Sequence, residues 1–199
     1  MLRVLWYRLL QAICKSLCAT FFQLRVRGRH HVPLEGAALL VSNHQSYLDP
    51  VLVGAGLERR LNYLARESLF RLIPFRWLIR SLDAIPIQRE GLGLSGLKET
   101  LRRLRRGEAV LLFPEGTRTR NGRMSPLRSG FYAVVRRAQV PVIPVRIEGA
   151  FHAWPRTAAL PRPHPIREWT SKQRPPRIRG CRLHPWTACP CAGASRARP

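Results

Sequence analysis

The chain has 199 residues, 45% of them hydrophobic, enough for one domain with a buried core. Its 35 Lys+Arg against 11 Asp+Glu give a net charge of +24, which points to an anionic partner, either nucleic acid or an anionic membrane surface. Five cysteines, Cys14, Cys18, Cys181, Cys189 and Cys191, are odd in number and unevenly spaced, which excludes a disulfide framework and makes a reducing cytosolic compartment the default.

Cys189-Pro190-Cys191 with Cys181 and His184 has neither zinc-ribbon nor zinc-finger spacing, so no metal site is expected. Most of the cations are arginine, a bias that a GC-rich genome also produces, so the whole charge is not read as function.

The N-terminal segment MLRVLWYRLLQAICKSLCATFFQLRVRG is apolar but interrupted by Arg3, Arg8 and Lys15. No uncharged run approaches the ~20 residues of a membrane span, and the charges also argue against a secretory signal. On a helical wheel Arg3, Arg8, Gln11 and Lys15 share one face, and Leu2, Leu5, Trp6, Leu9, Ala12, Ile13 and Leu17 the other. Residues 1–23 are therefore expected to form an amphipathic helix lying in a membrane interface with its cations towards the headgroups. The alternative is a helix packed on its own domain.

A turn-rich segment, RGRHHVPLEG, comes next, and AALLVS then reads as a buried strand. Asp49-Pro50 opens a helix, VLVGAGL, with Asp as N-cap and Pro in the first turn. LNYLAR reads as a strand; SLFRLIPFRWLIRSL is apolar, has arginines at helical spacing, and is a second candidate membrane-facing element, broken or kinked at Pro74. AIPIQ, AVLLF and VPVIPVRI read as strands, LSGLKETLRRLRRG and LRSGFYAVVRRAQ as helices. The alternation predicts an α/β fold over residues 24–160.

From Pro161 to Pro199 the pattern changes: eight prolines, eight arginines, one lysine and a single acid, Glu168, with no apolar periodicity. Residues 161–199 are expected to be a basic Pro/Arg-rich tail, disordered or translated out of frame.

Two loops carry candidate chemistry. In VSNHQSYLDPVL an apolar strand delivers His44 and, five positions later, Asp49. A general base needs an imidazole and a partner that fixes its tautomer, which a carboxylate supplies by accepting the other ring N–H. A helix cap beside a solvated histidine is the plainer alternative. No G-x-S-x-G nucleophile motif is present, so such a base would act on the substrate's own hydroxyl. In FPEGTRTR another strand ends in Glu115 and Gly116, then Arg118 and Arg120. Gly116 permits close backbone approach, and arginine suits a phosphate. A solvated loop on a basic protein is the alternative here.

These residues carry a resemblance. NHQSYLD is similar to the N-H-x-x-x-x-D motif of glycerolipid acyltransferases, and DAIPIQR, FPEGTRT and VPVIPV resemble that family's second, third and fourth blocks, in order. The similarity runs from about Phe21 to Phe151 and is nearest to the bacterial 1-acylglycerol-3-phosphate acyltransferases. The resemblance implies a central mixed sheet flanked by helices, behind an N-terminal membrane-interface helix. It implies that His44 deprotonates the free hydroxyl of lysophosphatidic acid, that Asp49 orients and charge-stabilises His44, and that the alkoxide attacks the thioester of acyl-CoA or acyl carrier protein. Glu115, Gly116 and Arg118 would bind the acceptor, with Arg118 on its phosphate and Arg89 assisting. No metal or redox cofactor is implied, and the place of action would be the phospholipid surface on the cytoplasmic face of the cell membrane.

The sequence departs from the family at Asp83, where glycine is frequent, and at Arg128-Ser129-Gly130, where Lys-x-Gly is common. Members also continue past the fourth block with ordered structure. His30, His31, His152, His164 and His184 have no placed carboxylate and read as structural or solvated; Arg102, Arg103, Arg105 and Arg106 read as a solvated helix face or a membrane contact. Two rivals stand beside the enzyme: an acyltransferase-like chain disabled by its C-terminus, and a basic nucleic-acid-binding protein. The second lacks the recognition element or interleaved aromatics it would need, so no nucleic-acid partner is expected.

Overall fold

The structure, a computed structural model, describes residues 2–66, 84–87 and 94–172. In chain order these form α1 (Leu2–Phe22), β1 (Arg25–Arg27), a 3-10 turn (Arg29–His31), β2 (Ala38–Ser42), α2 (Asp49–Gly56), β3 (Asn62–Arg66) and β4 (Ala84–Ile87). Then follow α3 (Leu94–Arg105), β5 (Ala109–Leu112), α4 (Ser129–Ala138), β6 (Val142–Glu148), the single turn α5 (Ala150–Ala153) and β7 (Arg167–Thr170). The strands make one seven-stranded sheet in the order β1-β7-β6-β2-β5-β3-β4. All pairs are parallel except β6 with β7, so the sheet is mixed and helix-flanked as expected.

The central strands β2 and β5 are apolar without alternation because both of their faces are covered. Ala38 and Leu40 of β2 and Ala109 and Leu111 of β5 belong to the core beneath α1 and α2. Leu39, Val110 and Leu112 belong to a second core with Leu97, Leu101 and Leu104 of α3 and Val134 of α4. α2 sits close to the sheet because Gly54 and Gly56 lack side chains: a Cβ at Gly54 would overlap the Tyr63 hydroxyl, and one at Gly56 would come 2.7 Å from Glu168 Oε2.

The basic face of α3 is less free than its sequence suggests. Arg102 and Arg103 both bond the Glu99 carboxylate, at 2.8 and 2.9 Å, and Arg103 also reaches Asn62 on β3. Arg105 and Arg106 are exposed. The helix stops at Gly107, whose φ of 79° is the left-handed value that glycine adopts at helix ends.

α1 corrects the helical wheel in one respect. Gln11 does not join the charged face; its Nε2 donates to the carbonyls of Gly54 and Leu57, at 2.7 and 2.8 Å, at the end of α2. With buried Tyr7, Cys18 and Phe22 it forms the stripe that holds α1 on the domain, so α1 is not a separate unit. The larger apolar stripe points outward: Leu5, Trp6, Leu9, Ile13, Leu17 and Phe21 are between 47% and 71% exposed. Among the described residues no helix is long and apolar enough to cross a membrane.

The expected tail boundary at 161 is also corrected. Ile166 is fully buried, its N–H bonds Phe22 O at 2.9 Å, and β7 then runs between β1 and β6. Glu168 and Thr170 point inward and Arg167 outward, the alternation of a half-buried strand. Four residues with a glutamate at an inward position do not show as a strand in a Pro/Arg-rich context. The remainder of the tail, with Cys181, His184, Cys189 and Cys191, lies outside the described residues. So does the apolar segment SLFRLIPFRWLIRSL.

Candidate active site

Parallel strands carry their sites at their carboxyl ends, where the loops gather. β2 and β5 are neighbours whose register pairs Val41 with Leu112, so the two strands end level. Asn43–His44 and Pro114–Glu115 therefore leave the sheet side by side. Asn43 pins the first loop to β6: its amide donates to Ile147 O at 2.9 Å and accepts Ile147 N–H at 2.8 Å.

His44 and Asp49 meet. His44 Nδ1 lies 2.8 Å from Asp49 Oδ2. The same oxygen accepts the backbone N–H groups of Gln45 and Ser46, at 2.6 and 2.8 Å. Asp49 is therefore not the N-cap expected from sequence. Leu48 holds that position without a side-chain bond, and Asp49, fully buried in the first turn of α2, reaches back into the loop that bears His44. A carboxylate there accepts Nδ1–H, which leaves Nε2 as the basic nitrogen. The imidazole stacks on Phe113, ring centroids 4.1 Å apart and planes 19° from parallel, and its side chain is 17% exposed.

Glu115 is held from both sides by the backbone. Oε1 accepts the His44 backbone N–H at 2.7 Å and Oε2 accepts the Ser125 N–H at 2.7 Å. At 2% exposure and with each oxygen engaged, it fastens the two loops together. Thr119 adds a second tie, its N–H bonding His44 O at 2.9 Å. Gly116 has φ 68°, and a Cβ there would come 2.6 Å from Arg128 Cδ and Nε. Arg128 thus lies across the turn, with Nε on Glu115 O at 3.2 Å. Gly116 itself is exposed.

Arg118 is brought to the same loop cluster. Its guanidinium carbon lies 3.3 Å from the Tyr47 ring centroid, and its Nη1 is buried without a hydrogen-bond partner. Pro144 lies in β6 opposite Val41, near the end of β2. Arg89 is outside the described residues. The sequence reading missed the supports: Asn43, Ser46, Tyr47, Thr119, Ser125, Arg128 and Trp154. Asn43, Ser46 and Tyr47 had a signal, lying inside NHQSYLD, as had Thr119 at the end of FPEGTRT and Arg128 in the place of the Lys-x-Gly lysine; Ser125 and Trp154 had none.

The acyltransferase family profile matches residues 23–148, well over half of the chain. The chain belongs to the acyltransferase family. Among other acyltransferases it is 27% identical over 127 residues to the 1-acyl-sn-glycerol-3-phosphate acyltransferase of Bacillus subtilis, covering 63% of each chain. It is 33% identical over 126 residues to the mouse 1-acyl-sn-glycerol-3-phosphate acyltransferase alpha, covering 62% of this chain and 44% of that one. A chloroplast 1-acyl-sn-glycerol-3-phosphate acyltransferase of Brassica napus is 26% identical over 132 residues, 65% of this chain and 38% of its own length; the chain thus spans well under two thirds of several curated relatives. The acyltransferase fold is shared with the crystal structure of the 1-acyl-sn-glycerophosphate acyltransferase of Thermotoga maritima, with TM-score 0.71 and 23% identity over 85% of this chain and 71% of that one.

Proposed function

We propose that the chain transfers an acyl group from acyl-CoA or acyl carrier protein to the free hydroxyl of lysophosphatidic acid, forming phosphatidic acid for phospholipid synthesis. The observation that carries this is the 2.8 Å His44–Asp49 contact, made on Nδ1 and so leaving Nε2 as the base. His44 Nε2 takes the hydroxyl proton as the oxygen attacks the thioester carbonyl. The tetrahedral intermediate collapses, the C–S bond breaks, and His44 returns the proton to the leaving thiolate. The proton cycle closes on one imidazole, so the scheme calls for no metal or redox cofactor. Thiol release that requires both acyl-CoA, or acyl carrier protein, and lysophosphatidic acid tests it.

Arg118 supplies the charge for the acceptor's phosphate, since its buried Nη1 has no protein partner and arginine matches phosphate geometry. Arg118→Ala raises the acceptor KM about ten- to a hundred-fold, as expected for a lost charged hydrogen bond of ~1.5–3 kcal/mol. An unchanged acceptor KM in steady-state assays would remove the phosphate role.

The enzyme works at a phospholipid surface as a peripheral protein on the cytoplasmic face of the membrane. The outward stripe of α1 supports this, because six large apolar side chains at helical spacing stay exposed while a different face packs on the domain. Replacing Leu9, Ile13 and Leu17 with glutamine weakens binding to anionic phospholipid vesicles at least about tenfold, given the value of burying such side chains. Co-sedimentation undiminished by the triple substitution places the contact elsewhere. β7 favours this active reading over a chain disabled by its C-terminus, since ordered structure continues past the fourth block and joins the sheet.

A further inference from the structure

We infer that Tyr47 is a positioning residue that sets the preference for a phosphate-bearing acceptor by holding the Arg118 guanidinium against its ring. This rests on the phosphate role of Arg118 proposed above. Tyr47 stands three residues after His44, and Arg118 stands next to Thr119, whose N–H bonds His44 O. The two side chains thus come from the two loops that build the site, one from each.

The geometry is that of a stack. Arg118 Cζ is 3.3 Å from the centroid of the Tyr47 ring, where the ring's negative face attracts the cation. Tyr47 is in turn backed by Trp154, with ring centroids 5.2 Å apart. Trp154 is itself fixed: its indole Nε1 donates to Ala158 O at 3.0 Å, and its carbonyl accepts Ser46 Oγ–H at 2.8 Å. The order Trp154, Tyr47, Arg118 runs from the segment after β6 across the His44 loop to the Glu115 loop. A free arginine must give up much side-chain freedom when it grips a phosphate. A stacked one has given it up already.

Two further facts favour positioning over a packing role. Tyr47 is 45% exposed, so it is not a core residue. Arg118 Nη1 is enclosed yet unpaired, an arrangement that gains nothing for the empty protein and suits an anion brought by a ligand.

The test compares the parent enzyme with Tyr47→Leu, Tyr47→Phe and Arg118→Ala. Each is assayed with lysophosphatidic acid and with monoacylglycerol, the same acceptor without phosphate. Tyr47→Leu raises the KM for lysophosphatidic acid about tenfold, moves kcat less than about twofold, and reduces the preference over monoacylglycerol. Tyr47→Phe keeps the ring face and restores the parental KM. A Tyr47→Leu enzyme that loses kcat equally with both acceptors, or that keeps its preference while Arg118→Ala loses it, overturns the inference and leaves the phosphate role standing. Preference unchanged in Arg118→Ala overturns the phosphate role and the inference with it. Titrating the same chains with lysophosphatidic acid in detergent micelles, without acyl donor, reads the same difference as a Kd, independently of turnover.

Discussion

His44→Ala lowers turnover by about two to four orders of magnitude, the usual contribution of a positioned general base, and leaves the protein folded. The fold survives because the loop does not depend on the imidazole. Asp49 keeps the N–H groups of Gln45 and Ser46, Glu115 keeps the backbone N–H at position 44, and Asn43 stays paired with Ile147. Asp49→Asn completes the experiment. All three contacts fall on Oδ2, so the amide oxygen takes that place and keeps both backbone N–H groups and His44 Nδ1–H. What is lost is the negative charge that stabilises the imidazolium, so turnover falls by about one to three orders of magnitude, matching the ~1–3 pKa units that such a neighbouring charge is worth. Thiol release by the two variants, with circular dichroism beside it, is the measurement. Turnover retained in His44→Ala would sink the dyad.

Glu168→Gln stabilises the protein at pH 8.5 and leaves it nearly unchanged at pH 5. Glu168 lies on β7, fully buried, and neither carboxylate oxygen has a hydrogen-bond partner. Gly56 of α2 presses against it, and Cys18 of α1 and Tyr63 of β3 are close enough to feel its charge. Burial pushes its pKa up from 4.5 to about 8. The carboxyl is therefore neutral in the fold below that value, while in the unfolded chain it ionises near 4.5. Between the two, unfolding releases a proton, so stability falls as pH rises through the window, by up to about 5 kcal/mol over its full width. Cys18 and Tyr63 are themselves raised, Cys18 to about 11, and do not titrate there. Glutamine cannot ionise, so urea unfolding midpoints of the variant and the parent diverge from pH 5 to pH 8.5. Parallel midpoints across that range would mean that the carboxylate is solvated.

Much of the site was readable because its main elements are local. His44 and Asp49 sit on one loop, five residues apart, at the end of an apolar run, and FPEG follows another such run. The partners of these residues were not readable. Glu115 and His44 are 71 positions apart, and nothing in either segment shows that a carboxylate will be consumed by two backbone N–H groups. The same holds for Tyr47 and Arg118, and for Gln11, whose place on the wheel beside Arg8 and Lys15 is true of the helix but says nothing of the α2 carbonyls it meets. β7 was missed for another reason. Only Ile166, Glu168 and Thr170 in that stretch turn inward, and one of the three is an acid.

The order of the described helices and strands from β2 to β6, the two strand-end loops, the closeness of His44 to Asp49 in the chain and the amphipathic N-terminal helix were all determined by the sequence alone. Each of these follows from side-chain periodicity or from neighbours within a few residues, which backbone geometry imposes before any tertiary contact forms. Tertiary structure decided that β2 and β5 end level, that Glu115 ties the two loops together, that α1 turns its apolar stripe outward, and that a basic tail supplies a strand. Those outcomes depend on strand register and on which surfaces meet across the sheet. Both are set by pairings between residues far apart in the chain.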